Sequence, residues 1–407
     1  MRKSINNPSI RWVYLPIGVI AMLFAGVLYA WSILKAPLST EFGWSASQLA
    51  LGFTLAMSFF CVGGLLGSQL SKRVGHRIAL IAAALLSALG FILTACLRDA
   101  SILMLYISYG VLAGTGIGIA YNVIISTVSA WFPDKKGLCS GFLMMGFGAS
   151  ALILGNAANS MFQSALGWRT TYKLLGAAIF AVLLLAGFLL QKPGADMTLP
   201  QPKAAKAAKQ ESFEQQDYTS AQMLCRLSFW LAFICISFLA AVGSSVISFA
   251  KDLALSVHAP ETIAVSLVGV LSVCNGVGRI LTGALFDAIG RRKTMLWANI
   301  LTIGAAIVTL IAVFVGSLSL CIIGLCLTGM SYGACPTITA AFTSSFFGLK
   351  HFPTNMAFMT FTSMGGSLIA TVSNKVLEIT GGYTITFIML LSLTVVALIL
   401  NVFIRKP

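Results

Sequence analysis

Arg279 is the residue of this chain whose type and setting most directly suggest chemistry. It lies eight residues before Asp287 inside a long apolar stretch, so in a helix it is about 12 Å from that end. A guanidinium is always charged, and its planar fork of donors matches a carboxylate with two parallel hydrogen bonds. The residues that share its helix face are small or polar: Ser272, Asn275, Gly276 and Gly283. This pattern predicts the binding of a small anion at Arg279, with Asn275 beside it.

The chain around Arg279 is too apolar for a water-soluble protein. Of its 407 residues 58% are hydrophobic and 9% charged, against about 25% charged in soluble proteins, and the mean hydropathy is +0.93. A membrane-spanning helix needs about 20 mostly apolar residues. The sequence therefore excludes a soluble enzyme and predicts an all-α membrane protein. Its twelve predicted spans cover 13–35, 45–70, 78–97, 102–131, 137–163, 170–190, 222–249, 261–287, 294–315, 318–346, 353–377 and 383–404.

Within these spans, Arg279 has no predicted acidic partner. All eleven Asp and Glu fall in loops or at span ends. A charge near the bilayer midplane costs at least about 2.5–3.5 kcal/mol, so it should face a cavity or a partner. A buried ion pair and a side chain that reaches the interface are both disfavoured, and a substrate role is favoured.

The basic residues predict the orientation of the chain. With both termini in the cytoplasm, 19 of the 26 Lys and Arg lie inside and 6 outside, as the positive-inside rule requires. The net charge of +15 is then topological and indicates no nucleic-acid partner. The polar segment 191–221 predicts a cytoplasmic linker between an N-terminal bundle (1–190) and a C-terminal bundle (222–407). The nine cysteines have no metal-ligand spacing, so neither a metal nor a cofactor is expected.

The two halves repeat one short motif between their second and third spans. The copies are SQLSKRVGHR at 68–77 and GALFDAIGRRK at 283–293. The second copy resembles the cytoplasmic-loop signature of the major facilitator superfamily, which implies twelve transmembrane helices in two pseudo-symmetric six-helix bundles. The first copy departs from it, with Ser68 and Lys72 in place of the usual glycine and aspartate. The resemblance implies a gating role for five charged residues: Asp287, Arg291, Arg292, Lys72 and Arg73.

Further stretches resemble the oxalate:formate antiporter family within that superfamily. They are Arg11-Trp12, GVLYAWS at 26–32, WFPDKKGL at 131–138 and NGVGR at 275–279. The resemblance implies a carrier of small carboxylates whose cavity is lined by Tyr29, Tyr121 and Tyr332. From the residues alone, helix packing is an equally good explanation for each tyrosine. Asn122 lies on the polar face of the fourth span, together with Thr115 and Gly118, and is expected to line the same cavity.

Ser363 marks a departure from the oxalate carriers. Family members place a second cation, a lysine, where the eleventh span here has Ser363. Thr360 and Thr328 likewise stand where the family has tryptophans. A cavity with one fixed positive charge suits a monoanion, because a dianion would leave one charge uncompensated in a low dielectric. The sequence therefore favours a monocarboxylate such as pyruvate, lactate or formate.

These observations together predict a secondary active transporter that works by alternating access around Arg279, and not an enzyme. It is expected as a monomer in the inner (plasma) membrane, with the lipid bilayer and a small carboxylate as its partners. The alternatives are an oxalate or dicarboxylate exchanger, a multidrug exporter of the same fold, and a transporter-like anion sensor. The three histidines lie outside the spans, so exchange and proton symport both stay open.

Overall fold

The computed structural model of the chain describes residues 10–98, 101–132, 136–194, 217–348 and 351–405, and within these ranges it is helical and contains no strand. Twelve helices in the described ranges are long and apolar enough to cross a membrane, which confirms the twelve predicted spans. In chain order they are α1 (Arg11–Phe42), α2 (Ala46–Arg73), α3 (His76–Ala95), α4 (Ile102–Ser129), α5 (Lys136–Ser150, Ala151–Gly155 and Asn156–Phe162), α6 (Gly167–Leu189), α7 (Leu227–Ser256), α8 (Glu261–Ile289), α9 (Arg291–Val315), α10 (Leu318–Phe347), α11 (Phe352–Thr360 and Thr362–Thr380) and α12 (Tyr383–Phe403).

The first helix is longer than the sequence predicted. It continues past residue 35, through Pro37, to Phe42. It ends where Gly43 adopts a left-handed conformation, with φ at +66°, which glycine adopts without steric cost. Lys35, the last residue of the predicted span, therefore lies within the helix and not at its end.

The seventh span differs from its prediction at both ends. The predicted start at 222 lies in a separate short helix, Ser220–Leu224, which is capped by Thr219. The chain is extended at Arg226, so α7 itself starts at Leu227. The predicted end at 249 is a kink at Phe249 (φ −133°, ψ 18°), beyond which the helix continues to Ser256.

Three helices change their winding along their length. A 3₁₀ segment, Gly26–Ala30, interrupts α1 and carries Tyr29. π-helical segments occur in α4 at Tyr106–Ala113 and in α5 at Ala151–Gly155. Because each segment shifts the phase of the helix that follows it, a regular 3.6-residue repeat does not predict every inward-facing side chain.

The packing repeats in the two halves. In the first half α2 packs on α4, α3 on α6, and α1 on α5. The equivalent pairs in the second half are α8 with α10, α9 with α12, and α7 with α11. The halves meet through α5 against α8 and α2 against α11, which are also equivalent contacts. The predicted pair of pseudo-symmetric six-helix bundles is thus confirmed, whereas most of the predicted linker, 195–216, lies outside the described residues.

Candidate functional site

A cavity of about 1000 Å³ lies between the two bundles. Its lining comes from α1, α2, α4 and α5 of one bundle and from α8, α10 and α11 of the other. It extends to Ser68 near the end of α2, Ala284 near the end of α8 and Met356 near the start of α11. These helix ends lie on the side of the molecule where α1 begins and α12 ends. We call this the open side.

Arg279 lies in the cavity and bridges the bundles. Its Nη1 donates to the hydroxyl of Tyr121 over 3.0 Å, and its Nη2 faces the hydroxyl of Tyr29 over 3.4 Å. Its Nε donates to Oδ1 of Asn275, one turn earlier on α8, over 3.1 Å. Among the described residues, no acidic side chain forms an ion pair with Arg279. The guanidinium is held by three neutral oxygens.

Aromatic rings surround this guanidinium. Phe147 on α5 packs edge-on against Tyr29 and Tyr121, with ring centroids 5.1 and 5.2 Å apart. Phe60 on α2 packs on Tyr121 at 5.1 Å, and Tyr332 lies 6.2 Å from Tyr29. These rings lower the local dielectric on their side of the guanidinium, which strengthens its attraction for an anion. Phe60 and Phe147 could not be identified from the sequence as site residues, because phenylalanine in an apolar stretch carries no signal of its own.

The structure brings most of the predicted substrate residues to this cavity. Tyr29 and Tyr332 line it and are 5% and 4% exposed. Asn122 on α4 and Ser363 on α11 line it as well. Asn275 is different: it is 2% exposed and lies behind Arg279, which it orients through its Oδ1.

The predicted gating residues lie at helix ends on the open side. Lys72 and Arg73 are in the last turn of α2, Arg292 is in the first turn of α9, and all three are exposed. The side chains of Asp287 and Arg291 lie outside what the structure describes. The gating role of this group stays a prediction.

The opposite side, which we call the closed side, is sealed by polar contacts between the bundles. Lys35 on α1 is 5% exposed, and its Nζ lies 2.8 Å from Oδ2 of Asp252 on α7. Lys251, also on α7, donates to Oδ1 of Asn159 on α5 over 3.3 Å.

Two further contacts link α2 to α11 on this side. Ser47 donates to the carboxylate of Glu378 over 2.7 Å, and the hydroxyls of Thr54 and Thr371 lie 2.8 Å apart. From the sequence alone, the charged residues of these closed-side contacts could be placed only at span ends or in loops. Their pairing across the bundles depends on the tertiary structure.

Comparison with known families gives one match over most of the chain. A family model described as Major Facilitator Superfamily matches residues 14–371 and again 233–407. Within the described residues, no group of three His, Cys, Asp or Glu side chains could hold a metal ion.

Three relatives show what the chain is similar to. The uncharacterized MFS-type transporter YhjX of Escherichia coli (strain K12) is 29% identical over 358 residues, which are 86% of this chain and 84% of the relative. The oxalate:formate antiporter of Oxalobacter formigenes is 30% identical over 291 residues, 70% of this chain and 65% of the relative. Monocarboxylate transporter 13 of Rattus norvegicus is 24% identical over 377 residues, 90% and 82%.

Solved structures show the same fold. A bacterial homolog of the human lysosomal transporter Spinster, in an inward-facing and occupied conformation, superposes with a TM-score of 0.71 at 15% identity. The match covers 98% of this chain and 97% of that structure.

Proposed function

The chain belongs to the Major Facilitator Superfamily and is a membrane transporter rather than an enzyme, and from this premise we propose that it carries small monocarboxylates such as pyruvate, lactate or formate. The observation that carries the proposal is the guanidinium of Arg279, which lies in the cavity between the bundles with neutral partners only. A buried cation of this kind is costly unless an anion compensates it.

The donors of Arg279 fit a carboxylate. A guanidinium has five N–H groups, and three of them are engaged by Asn275, Tyr121 and Tyr29. One N–H on each terminal nitrogen is therefore left, and a carboxylate can accept a hydrogen bond from both. The two tyrosine hydroxyls lie beside that position, where they can donate to the bound anion.

The number of charges supports one carboxylate and not two. Among the described residues that line the cavity, Arg279 is the only charged one. Ser363 lines the cavity on α11, at the position where the resemblance to oxalate carriers implies a lysine. A dicarboxylate would bring a second negative charge without a partner into a low dielectric. Among the relatives, both the oxalate:formate antiporter and the monocarboxylate transporters are named for carboxylate substrates.

The cavity is open on one side of the molecule and closed on the other, and we propose a transport cycle in which the two sides exchange these roles. The open side bears the start of α1 and the end of α12. The distribution of basic residues favours the cytoplasm for this side, and in that orientation this form of the carrier receives or releases its substrate inside the cell. Transport then requires the closed side to open while the open side shuts, by rocking of one bundle against the other. We propose this cycle for a monomer in the inner membrane.

Uptake into proteoliposomes tests the proposal. Labelled formate, pyruvate, lactate and oxalate would be supplied with and without an internal counter-substrate or a pH gradient, to wild type, Arg279→Gln and Arg405→Gln. The last variant is the matched control, because Arg405 is exposed at the end of the chain. We expect saturable monocarboxylate uptake that Arg279→Gln abolishes and Arg405→Gln retains. Undiminished uptake by a well-folded Arg279→Gln protein contradicts the proposal, as does transport of lipophilic cations with no carboxylate transport.

A further inference from the structure

Two glycines of the cavity wall leave space that no atom of the described residues fills. Gly283 follows Arg279 by one turn of α8 toward the open side, and Gly64 follows Phe60 by one turn of α2. Both line the cavity. A Cβ added at Gly283 would have only one atom within reach, on Thr337 at 4.0 Å. A Cβ at Gly64 would likewise meet only the carbonyl oxygen of Gly118, at 4.0 Å.

Other glycines of these two bundles, such as Gly118 on α4 and Gly278 on α8, serve a different purpose. A Cβ at Gly118 would collide with the backbone of Phe60, and one at Gly278 would collide with the backbone of Met330. Those glycines are needed for the close approach of neighbouring helices. Gly64 and Gly283 are not needed for packing, so their lack of a side chain enlarges the cavity instead.

The wall of the cavity is mostly apolar. Its members come from both bundles and include Met57, Leu65, Met145, Ile280, Ala284 and Ala340. Methionine side chains are flexible and adapt to apolar groups of different shape. The site therefore combines one cation with an adaptable hydrophobic surface.

The volume of the cavity exceeds what a very small anion fills. At about 30 Å³ for each water molecule, the cavity of about 1000 Å³ has room for roughly 30 waters. Formate or pyruvate would replace only a few of them and would leave the apolar wall wet. An apolar group attached to the carboxylate would cover that wall and gain from its burial.

We propose, on the basis of the proposed function, that the preferred substrates are monocarboxylates with a branched or aromatic hydrocarbon tail. The carboxylate binds Arg279, and the tail lies on the open side of it, between Gly64 and Gly283. Affinity then depends on the length of the tail as well as on the charge.

A series of acids measures this dependence. Dissociation constants for acetate, butyrate, 4-methylpentanoate and phenylacetate would be determined by calorimetry on the full-length purified protein in detergent at pH 7. Arg279→Gln, measured in parallel, corrects for partition into the micelle. Each added methylene is expected to tighten binding about fourfold, and hence butyrate binds about 15-fold more tightly than acetate.

Two variants test where the hydrocarbon tail of the substrate binds. In Gly64→Leu and Gly283→Leu the ratio of 4-methylpentanoate to acetate affinity is expected to fall about tenfold or more. Gly304→Leu is the matched control, because a Cβ at Gly304 on α9 has no neighbour within 4 Å and the residue does not line the cavity. If the glycine variants fail to fold, the acid series on the wild-type protein still decides the question.

The outcomes separate this inference from the function on which it rests. If affinity is flat or falls along the series while binding still requires Arg279, the tail site is wrong and monocarboxylate transport stands. If no acid of the series binds in an Arg279-dependent way, both are wrong. A rising series with an unchanged ratio in correctly folded glycine variants overturns the assignment of the tail to Gly64 and Gly283.

Discussion

Replacing Asp252 by asparagine is expected to shift the carrier toward a form that is open on the opposite side. Asp252 is the carboxylate partner of Lys35 across the two bundles, at 2.8 Å. In the form described above, Lys35 is 5% exposed, so without Asp252 its charge would be buried with no counter-charge. When the bundles separate on this side, water reaches Lys35 and the penalty disappears. Asp252→Asn therefore destabilises only the form that is closed on this side, and it changes the ratio of the two conformations.

The size of the shift follows from the burial of the two partners. Removing one partner of a fully buried ion pair costs about 3–5 kcal/mol, whereas an exposed pair contributes about 0.2–1 kcal/mol. The side chain of Lys35 is 7% exposed but that of Asp252 is 44% exposed, so water screens the pair from one side. We expect an intermediate cost of about 1–2 kcal/mol, which changes the ratio of the two conformations about 5- to 30-fold.

Pulsed electron paramagnetic resonance measures this ratio. Spin labels at Thr40 on α1 and Ser256 on α7, both exposed on the closed side, would be attached in a background without the native cysteines. Asp252→Asn should add a population at longer distance, and Lys35→Gln combined with Asp252→Asn should remove it, because no buried charge is then left.

Glu41→Gln is the matched control for this experiment. Glu41 pairs with Arg169 at 2.6 Å on the same side of the molecule, but both residues belong to the first bundle. Its loss should leave the distances unchanged. The reasoning is refuted if Asp252→Asn gives the wild-type distance distribution, or if Glu41→Gln produces the same shift.

Three further predictions concern the cavity. Arg279→Lys keeps the charge but loses the planar fork, so initial rates of uptake should fall at least about tenfold; wild-type rates would show that charge alone suffices. Tyr121→Phe, Tyr29→Phe and Tyr332→Phe should each weaken substrate binding by roughly 0.5–1.5 kcal/mol, most for Tyr121, whose hydroxyl is 3.0 Å from the guanidinium. Calorimetry measures these affinities, and three unchanged values would assign the rings to packing. Ser363→Lys should lower monocarboxylate transport and raise the ratio of oxalate to formate binding in competition assays; an unchanged ratio in a folded protein would mean that Ser363 does not face Arg279.

The main parts of the site could be predicted from the sequence because they break a strong rule. A charge inside an apolar helix is costly, so Arg279 stands out without any structure, and the eleven acidic residues are all too far along the chain to pair with it within a span. The spacing along α8 also placed Asn275 beside it. The structure adds that Asn275 supports the arginine from behind.

Other features depend on contacts between distant parts of the chain. Phe60 and Phe147 complete the aromatic surroundings of Arg279, but nothing in their local sequence differs from ordinary apolar residues. The pairing of Lys35 with Asp252 requires α7 to continue past its kink at Phe249, beyond the predicted end of the seventh span. Local hydropathy does not predict this continuation, because it contains the charged residues Lys251 and Asp252.

The neutral partners of Arg279 have a consequence for the speed of the empty carrier. If both sides were shut without substrate, the guanidinium would be sealed in the protein with only hydroxyl and amide oxygens around it. A bound carboxylate cancels that charge, so the loaded protein passes through the same shut state at a lower energy. We therefore expect the empty carrier to pass slowly from one form to the other. A counter-substrate on the far side of the membrane should then accelerate uptake. The arginine that we propose to bind the anion would in this way also suppress leak, because an empty carrier would seldom pass from one form to the other.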